Sequence, residues 1–390
     1  MKTEIYIIDA LRTPIGKFGG MFDGYQASDL ASTVVKALKT KHNLKPSDVD
    51  HLILGNVLAA GLGQNIARQV LLENFDNDKT AFGINMVCGS GLKAVCLASQ
   101  SIALGENNLV LAGGTENMSN SPYLLKKARF GYRLGDDSVV DSIVSDGLWD
   151  CRLGYHMGQT AENIANKHKI SREEQDLFAL HSQEKAQKAI ASNRFDEEIV
   201  AVTIQHRKKE IIHKSDEFPR ADTSIEALAS LRPAFDKEGS VTAGNTSGIN
   251  DGAALLLLGS AEAIKTYQPI AKVVSYAEAG VDPSVMGLGP IKATEKALQK
   301  ANWKISDLDL IESNEAFSVQ SIAVKKELSL PDEIINVNGG AIALGHPIGA
   351  SGARILVTLI HEMKKRQAKK GLATLCIGGG MGIAMCVELI

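Results

Sequence analysis

The sequence lacks the features that mark membrane proteins and polyanion-binding proteins. No apolar run approaches the roughly 20 residues that a membrane span needs, and 42 basic residues nearly balance 45 acidic ones, for a net charge of −3. The charge therefore favours neither a nucleic acid nor an anionic membrane as a partner. The N-terminus is too interrupted for a signal peptide and the C-terminus carries no organelle address, so we expect a cytoplasmic protein.

Cysteine is scarce and shows no pairing pattern. The five cysteines are widely spaced, odd in number and form no Cys-x-x-Cys motif, so we expect free thiols in a reducing compartment. His361 and Glu362 begin like the zinc-binding motif His-Glu-x-x-His, but Lys365 stands where the second histidine is required. We therefore expect no metal and no permanently bound cofactor.

What the chain does contain is an alternation of short apolar runs and amphipathic segments. The runs at 4–9, 52–55 and 109–114 predict buried strands, and the segments 27–38 and 63–70 predict helices. Strands that alternate with helices indicate an α/β fold with a mostly parallel sheet. A length of 390 residues suggests two or three domains or one large duplicated unit.

Residues 118–250 have a different character, because aromatic, glycine and charged residues mix there without strand alternation. Ser171 and Glu174 form a capping box that opens an amphipathic helix to about Ser192. We interpret this region as a loop domain inserted over the mouth of a core domain. The predicted division of the chain is then 1–117, 118–250 and 251–390.

The second half of the chain repeats features of the first half in the same order. Ser306 and its neighbours follow the similar segment around Ser47 by 259 residues, and the glycine-rich turn at His346 follows the one at Cys88 by 258. Repeats in one order at nearly one offset indicate a duplicated α/β unit. Because a duplicated sheet places equivalent loops at one face, we expect Cys88 and His346 to meet.

Cys88 stands at the start of a predicted helix, between an apolar run and the turn Gly89-Ser90-Gly91. Unpaired backbone N–H groups and the positive end of the helix dipole favour a thiolate at such a position. The glycines allow another molecule to approach closely. The alternative is a buried structural cysteine, which is the interpretation we prefer for Cys96 and Cys386.

Three other glycine-flanked positions complete a candidate site. His346 is the usual kind of base for a thiol, and its alternative is a capping or core histidine. Cys376 precedes the glycines 378–380, whose unobstructed N–H groups suit an oxyanion and hence acyl transfer. The fourth position is Asn314, which opens the segment Asn-Glu-Ala-Phe.

Four blocks of the sequence together resemble the motifs of the thiolase family, in the family's order and spacing. They are Asn85-x-x-Cys88-Gly-Ser-Gly, Asn314-Glu-Ala-Phe, Gly345-His-Pro-x-Gly-Ala-Ser-Gly and Cys376-x-Gly-Gly-Gly-x-Gly. The segment that opens at Arg12 and the loop that opens at Gly244 look like the family as well. The likeness therefore covers essentially the whole chain.

The resemblance implies a fold and a set of roles. The fold is an α/β/α/β/α layered core of two similar halves with an inserted loop domain, and the activity is acyl exchange between CoA thioesters. Cys88 would carry the acyl group, His346 would take its proton, and Cys376 would move the α-proton of a second acetyl-CoA. His346 and a water on Asn314 would stabilise the enolate, and the N–H groups of Cys88 and Gly378 would stabilise the other oxyanion.

The resemblance also implies partners, namely acetyl-CoA and acetoacetyl-CoA as substrates and a second copy of the chain, because the family forms dimers and dimers of dimers. The residues expected along the pantetheine arm are Leu148, His156, Met157, Phe235, Ala243, Ser247 and Phe317, with Arg220 at the adenine end. Simpler interpretations exist for some of them, since Leu148 and Phe235 could be core residues and Arg220 a surface charge.

Within the family, Cys88-Gly89-Ser90 and the placement of His156 before Met-Gly resemble the short-chain biosynthetic members, which reversibly condense two acetyl-CoA molecules to acetoacetyl-CoA and CoA. Ser318 and Thr246 stand where alanine is usual, which leaves the fine acyl preference open. The nearest alternative is a degradative 3-ketoacyl-CoA thiolase of broader chain length.

More distant alternatives are less compatible with the residues. A carrier-protein ketoacyl synthase would need His or Asn in place of Cys376. A dinucleotide-binding oxidoreductase would need a Gly-x-Gly-x-x-Gly motif after the first strand, and none is present there. A non-catalytic protein that binds CoA or a nucleotide would not need two positioned thiols and a histidine.

Overall fold

The computed structural model describes residues 4–206 and 209–390. The first part of the chain alternates strands and helices as predicted. Its elements are β1 (Ile5–Arg12), β2 (Gly16–Lys17), α1 (Ala27–Lys41), β3 (His51–Gly55), α2 (Ile66–Asn74), β4 (Thr80–Ile84), α3 (Ser90–Ala103) and β5 (Leu109–Asn117).

The middle of the chain contains short hairpins and helices. Its elements are β6 (Tyr123–Leu124), β7 (Val140–Asp141), β8 (Trp149–Asp150), β9 (Tyr155–His156), α4 (Met157–His168), α5 (Arg172–Ala191), β10 (Val202–His206), β11 (Lys209–His213) and α6 (Ile225–Ala229), with a 3-10 turn at Ala128–Phe130 and a π-helical turn at Ile143–Leu148. The predicted capping box opens α5: the Ser171 hydroxyl accepts from the N–H of Glu174 (3.2 Å), and the Glu174 carboxylate accepts from the N–H of Ser171 (2.8 Å).

The last part of the chain returns to long strands and helices. Its elements are β12 (Asn250–Gly259), β13 (Ala271–Gly280), α7 (Gly289–Ala301), β14 (Leu310–Ser313), α8 (Ser318–Leu328), α9 (Ala341–Leu344), α10 (Ile348–Arg366), β15 (Lys370–Ile377) and β16 (Met381–Leu389), with 3-10 turns at Ala263–Lys265, Pro283–Leu288 and Ile305–Asp307.

The two halves of the chain repeat one arrangement of strands. In the first half the neighbouring strands are β3-β5-β12-β1, and in the second they are β14-β15-β16-β13. The first pair of each set is parallel and the next two pairs are antiparallel. Antiparallel pairing of β1 with β13 joins the two sets, and β4 extends the first set at its edge. The predicted duplication is therefore present in strand order and in strand direction.

The prediction of a mostly parallel sheet is wrong. Among the described strands, parallel pairing is confined to β3–β4, β3–β5 and β14–β15. The turn 378–380 joins β15 directly to β16, and so short a connection can join only antiparallel strands. Apolar periodicity predicted that these strands are buried, but it carries no information about their direction.

The sheets and helices form the predicted layers. Helices α1 and α2 cover one face of the first half's sheet, and α7 and α8 cover the outer face of the second. Helices α3 and α10 lie between the two halves, in a core shared by strands of both. Along β5, Val110 faces this central layer and Leu111 faces α1 and α2, as the alternation of side chains in a strand requires.

The crossing of α3 and α10 positions the site. A Cβ added to Gly91 of α3 would lie 2.8 Å from the backbone nitrogen of Ala353, and one added to Gly352 of α10 would lie 2.6 Å from that of Leu92. The two helices can therefore approach this closely only with glycine at both positions. Because Cys88 and His346 stand just before these helices, the close crossing brings their turns together.

Strand β12 lies after the predicted end of the loop domain, yet it pairs with β1 and β5. The sheet of the first half therefore continues to Gly259, beyond the boundary drawn at residue 250. Between β5 and β12 the chain leaves this sheet and returns to it. That the intervening residues form a separate loop domain stays a prediction.

Candidate active site

The turn that carries Cys88 has a strained backbone. Val87, directly before it, has a φ of 48°, which is rare for a β-branched residue. The Ser90 hydroxyl accepts from the N–H of Met86 (2.8 Å) and donates to the carbonyl of Val87 (2.6 Å). The Asn85 side chain accepts from the N–H of Val87 (2.9 Å). These bonds hold the strained turn and so fix the direction of the Cys88 side chain.

The backbone N–H groups of Gly378 and of Cys88 itself lower the pKa of the Cys88 thiol. Burial nevertheless raises the pKa of the Cys88 thiol to about 11, because it outweighs these two hydrogen bonds. A helix N-terminus contributes only about 0.3–1 kcal/mol, which is less than one pKa unit. Burial therefore favours the protonated thiol, although the start of the helix favours the thiolate.

His346 is the base available to that thiol. Its backbone N–H donates to Oδ1 of Asn250 (2.9 Å). Its Nδ1 lies 2.6 Å from the hydroxyl of Ser351, which in turn donates to the carbonyl of Pro347 (2.8 Å). We therefore assign the ring proton to Nδ1, which leaves the lone pair on Nε2. Burial, followed by the charge of Arg354, lowers the pKa of His346 to about 3, so the imidazole is neutral.

Asn314 lies beside this histidine. Its side-chain nitrogen is 3.4 Å from Nδ1 of His346. Oδ1 of Asn314 and Nε2 of His346 are buried, and neither has a hydrogen-bond partner among the described residues. Buried polar atoms without partners are rare in proteins, and they suit a water or a substrate atom.

The second thiol, Cys376, lies near the end of β15 and is fully buried. Burial raises its pKa, and so does charge on Cys88, which shows that the two sulfurs interact electrostatically. A Cβ on Gly89 would lie 2.5 Å from Cδ1 of Ile377, so the Cys88 turn packs directly on the end of β15. The turn 378–380 that follows β15 requires glycine at position 379, because the backbone there has a φ of 83°, which other residues rarely adopt.

A cavity of about 300 Å³ opens beside Cys88. The sequence-predicted residues in its walls are Cys88, Leu148, His156, Met157, Phe235, Ala243, Ser247, Phe317, His346 and Gly378. Its other walls are Val87, Met118, Gly147, Ala234, Thr246, Gly248, Ile249, Met286, Ala316 and Ile348. Such a mostly apolar lining with a few polar groups is typical of a small-molecule site.

Three predicted site residues do not line this cavity. Asn314 and Cys376 are buried behind it, and Asn314 is connected to it through His346. Arg220 lies outside it, and its guanidinium covers the ring of Phe218 at 5.6 Å from the centroid. Phe218 in turn packs against Gly248 of the wall, since a Cβ on that glycine would lie 2.4 Å from its ring.

Aromatic rings form one side of the cavity. The ring of His156 stacks on Phe235 with 4.7 Å between centroids, and Phe235 meets Phe317 edge to face at 6.4 Å. Nδ1 of His156 accepts from the N–H of Gly158 (3.0 Å), and burial lowers its pKa. A neutral His156 therefore carries its proton on Nε2, where it can donate to a ligand.

Sequence reasoning assigned no role to three residues that support the site. Ser351 and Asn250 orient His346, and both lie in glycine-rich segments that the motif comparison had already singled out. Glu116 accepts from the N–H of Gly349 at the start of α10 (2.9 Å), and burial raises its pKa to about 7. No local pattern in the sequence marks Glu116, because its partners come from distant segments.

In 4–206 and 209–390, no three His, Cys, Asp or Glu side chains lie together as a metal ion would require. In the same ranges, no helix combines the length and the apolar character needed to cross a membrane.

A duplicated α/β core that brings a thiol, an imidazole and two backbone N–H groups to one apolar cavity defines a cysteine-dependent acyltransferase. The chain matches the family description "Thiolase, N-terminal domain" over residues 5–262 and "Thiolase, C-terminal domain" over residues 267–389. It therefore belongs to the thiolase family, and the resemblance stated from its motifs is confirmed.

Individual relatives are similar over their whole length. The acetyl-CoA acetyltransferase of Escherichia coli K12 is 56% identical over 386 residues, which are 98% of each chain. That of Thiocystis violacea is 53% identical over 392 residues, with complete coverage of both. The fold matches the crystal structures of Bacillus anthracis acetyl-CoA acetyltransferase (TM-score 0.98, 46% identity) and human mitochondrial 3-ketoacyl-CoA thiolase (TM-score 0.96, 41% identity), each over 100% of this chain and 99% of the other. The predicted layered fold is confirmed.

Proposed function

We propose that this enzyme is an acetyl-CoA C-acetyltransferase, which reversibly condenses two molecules of acetyl-CoA to acetoacetyl-CoA and CoA. The observation that carries the proposal is the meeting of Cys88, His346 and Gly378 around one cavity, with Cys376 buried in the strand end on which the Cys88 turn packs. The names of relatives that are 52–56% identical over nearly their whole length support the same activity.

In the first half-reaction, Cys88 attacks the carbonyl of one acetyl-CoA. Because the thiol is protonated at rest, its proton passes to Nε2 of His346 as the S–C bond forms. The oxyanion accepts from the N–H groups of Cys88 and Gly378, two residues that line the cavity. The C–S bond to CoA then breaks, and the proton passes from His346 to the leaving sulfur, so that acetyl-Cys88 and free CoA remain.

In the second half-reaction, Cys376 takes an α-proton from a second acetyl-CoA. The enolate oxygen accepts from a water held by Asn314, whose buried Oδ1 has no partner among the described residues. His346 adds a second donor in its other tautomer, in which Nδ1 accepts from the Ser351 hydroxyl and Nε2 carries the proton. The enolate carbon attacks acetyl-Cys88, the C–S bond breaks, and the thiol of Cys88 is restored by the proton from Cys376. Because charge on one sulfur disfavours charge on the other, the thiolate of Cys376 forms more easily when Cys88 is acylated.

Coenzyme A and acetyl-CoA enter as substrates, and we propose no permanently bound cofactor. The pantetheine arm would lie between the His156–Phe235 stack and Met157, with Leu148, Ala243, Ser247 and Phe317 as further contacts. Arg220 stands outside the cavity near its wall, on Phe218, which suits a contact with the nucleotide end of CoA.

The test separates the two half-reactions. With Cys376→Ala, exchange of label between free CoA and acetyl-CoA should persist, whereas formation of acetoacetyl-CoA should fall to background. With Cys88→Ala, both should be lost. Loss of exchange in a folded Cys376→Ala variant, or its persistence in Cys88→Ala, would contradict the proposed roles.

The similarity to a 3-ketoacyl-CoA thiolase structure supports a second candidate, a thiolase of broader chain length. Thiolysis of acetoacetyl-CoA compared with a long-chain 3-ketoacyl-CoA distinguishes the two. The apolar cavity of about 300 Å³ supports preference for the short substrate. Comparable kcat/KM for both would favour the second candidate.

We further propose that the enzyme acts in the cytoplasm as a homodimer or a dimer of dimers. Free cysteines, including an exposed Cys151, fit a reducing compartment. The segment between β5 and β9 exposes three large apolar side chains, Tyr123, Phe130 and Leu134. They support self-association, because the surfaces of monomeric proteins rarely group large apolar side chains. Light scattering at working concentration and cell fractionation test the two parts. A monomer or a membrane-bound or exported protein would contradict them.

A further inference from the structure

Arg12 is fully buried at the end of β1, and its charge has no part in the two half-reactions above. Its guanidinium donates from Nε to Glu198 (2.7 Å) and from Nη1 and Nη2 to the two carboxylate oxygens of Asp216 (2.6 and 3.0 Å). The Asp216 side chain is itself 1% exposed. A buried charge is costly unless it is paired and hydrogen-bonded, and here two carboxylates supply that compensation.

This pairing joins a strand of the core to two segments of the chain between β5 and β12. Glu198 follows α5, and its backbone carbonyl also accepts from the N–H of Arg12 (2.8 Å). Asp216 lies in segment 214–224 between β11 and α6, and it also accepts from the N–H of Ile15 (2.8 Å). Because a segment without helix or strand lacks ladder hydrogen bonds, it depends on such side-chain bonds for a fixed position. Arg12 therefore holds this segment against the core.

The same segment reaches the wall of the cavity two residues further on. A Cβ on Gly248, which lines the cavity, would lie 2.4 Å from the ring of Phe218. The guanidinium of Arg220 lies over that ring at 5.6 Å, and the backbone N–H of Arg220 donates to Oε1 of Gln183 on α5 (2.9 Å). The segment is thus anchored to the core at Asp216 and to α5 at Arg220, and Phe218 packs on the cavity wall between these two anchors.

A second contact with the N-terminal part of the chain is more exposed. The carboxylate of Glu217 accepts from the N–H groups of Lys17 (3.1 Å) and Met21 (3.0 Å). The Glu217 side chain is 24% exposed, whereas neither Arg12 nor Asp216 is reached by solvent to more than 1%. Because water screens exposed charges far more than buried ones, the Arg12–Asp216 pair is the stronger of the two contacts.

We propose that Arg12, acting through Asp216, is a positioning residue that fixes the segment carrying Arg220 for binding of the nucleotide end of a CoA thioester. The proposal rests on the proposed function, which brings CoA to this cavity. The nucleotide end carries phosphate groups, and a guanidinium on a fixed segment loses less freedom when it binds them. Arg12 does not line the cavity, so loss of the pairing should weaken substrate binding and leave the acyl transfer step intact.

The test compares two thioesters that differ only in the phosphorylated nucleotide, acetyl-CoA and S-acetylpantetheine. Acetylation of Cys88 is followed in single turnovers by intact mass, which gives a maximal rate and a half-saturating concentration for each thioester. With Asp216→Asn, the half-saturating concentration of acetyl-CoA should rise about fivefold, the value of one partly exposed ion pair. The maximal rate with acetyl-CoA and both constants for S-acetylpantetheine should stay at the wild-type values.

A positioning role also predicts coupling between Asp216 and Arg220. Arg220→Gln alone should raise the half-saturating concentration of acetyl-CoA about fivefold. In the Asp216→Asn background the same change should add little, because the guanidinium has already lost its fixed position. Additive effects of the two substitutions would contradict the proposal.

The controls separate positioning from general damage to the fold. Arg194→Gln breaks another ion pair between the β5–β12 region and the core, with Glu362 of α10, and should leave all four constants unchanged. If Asp216→Asn does not fold, the triple variant Arg12→Met/Glu198→Gln/Asp216→Leu carries the test, because apolar groups often replace buried ion pairs without loss of stability. Equal rises for both thioesters, or an unchanged constant for acetyl-CoA in the folded variant, overturn the proposal.

Failure of the proposed function would look different, since neither thioester would then acetylate Cys88 in the wild type. Calorimetric titration with CoA and with pantetheine needs no acyl transfer. A selective loss of CoA affinity in Asp216→Asn would therefore still establish that the buried pair positions the nucleotide site.

Discussion

The turns at Cys88 and at His346 occupy equivalent places in two halves that have the same strand order and direction. The first turn is strained at Val87 and presents a partly exposed thiol to the cavity. The second buries its imidazole, which Ser351 orients from the helix that follows. The duplication therefore supplies one geometry twice, and the residues at each turn decide which becomes nucleophile and which becomes base.

Gly114, near the end of β5, and Gly379, just after β15, differ in a similar way. Gly114 stays within its strand, where a Cβ would lie 2.0 Å from the carbonyl oxygen of Gly349. Gly379 makes a turn with a φ of 83°, and a Cβ there would meet nothing within 4 Å. The first glycine is required for close packing under α10 and the second for backbone conformation, so the same residue type serves two physical purposes.

The largest effects on activity should come from removing the side chain of Cys88 or of His346. Cys88→Ala should lower kcat by at least about 10⁴-fold, because no covalent intermediate can form. His346→Ala should cost about 10³-fold, within the range for a general base. Cys386→Ala, a buried cysteine of an outer layer, is the matched control and should keep nearly full activity. Turnover by Cys88→Ala within tenfold of the wild type would contradict the role of Cys88 as the nucleophile.

A smaller effect should separate the two glycines. Gly114→Ala should lower the free energy of unfolding by about 3 kcal/mol, since backbone atoms must move to admit the methyl group. Gly379→Ala should cost about 1–2 kcal/mol, from left-handed backbone strain alone. Urea unfolding of both variants measures this difference. A larger loss for Gly379→Ala than for Gly114→Ala would show that the assignment of the two purposes is reversed.

The smallest perturbation is a change of pH. Because the pKa of Cys88 is raised to about 11, its thiolate fraction should grow about tenfold per pH unit between about pH 7 and 9. The rate of carbamidomethylation at Cys88 by iodoacetamide, read by peptide mass spectrometry, should follow that rise, with the exposed Cys151 as internal reference. A rate that is already constant from about pH 6 to 8 would instead indicate a resting thiolate paired with a protonated His346.

The sequence alone was sufficient to predict that the turns of Cys88 and His346 meet, and the two residues do line one cavity. Cys88 and His346 stand in short segments whose glycines reflect a local requirement, the close crossing of two helices, and such requirements leave a local pattern. The layered fold could likewise be predicted from the sequence, because helices and strands that bury one face show a regular spacing of apolar residues.

What the sequence did not predict depends on contacts between distant segments. Strand direction was wrong because an apolar run is compatible with either direction. The effect of burial on the Cys88 thiol was not predicted, because no local pattern in the sequence reports burial. Glu116 escaped notice for the same reason, since it acquires its partners only when remote elements pack together.

The most direct test of the central claim is the intact mass of the chain after brief mixing with acetyl-CoA in acid quench. The wild type and Cys376→Ala should each gain the mass of one acetyl group, and peptide mapping should locate it on Cys88. Addition of CoA before the quench should remove it. An unmodified wild-type chain, or an acetyl group on another residue, would contradict the account of Cys88 as the acyl carrier.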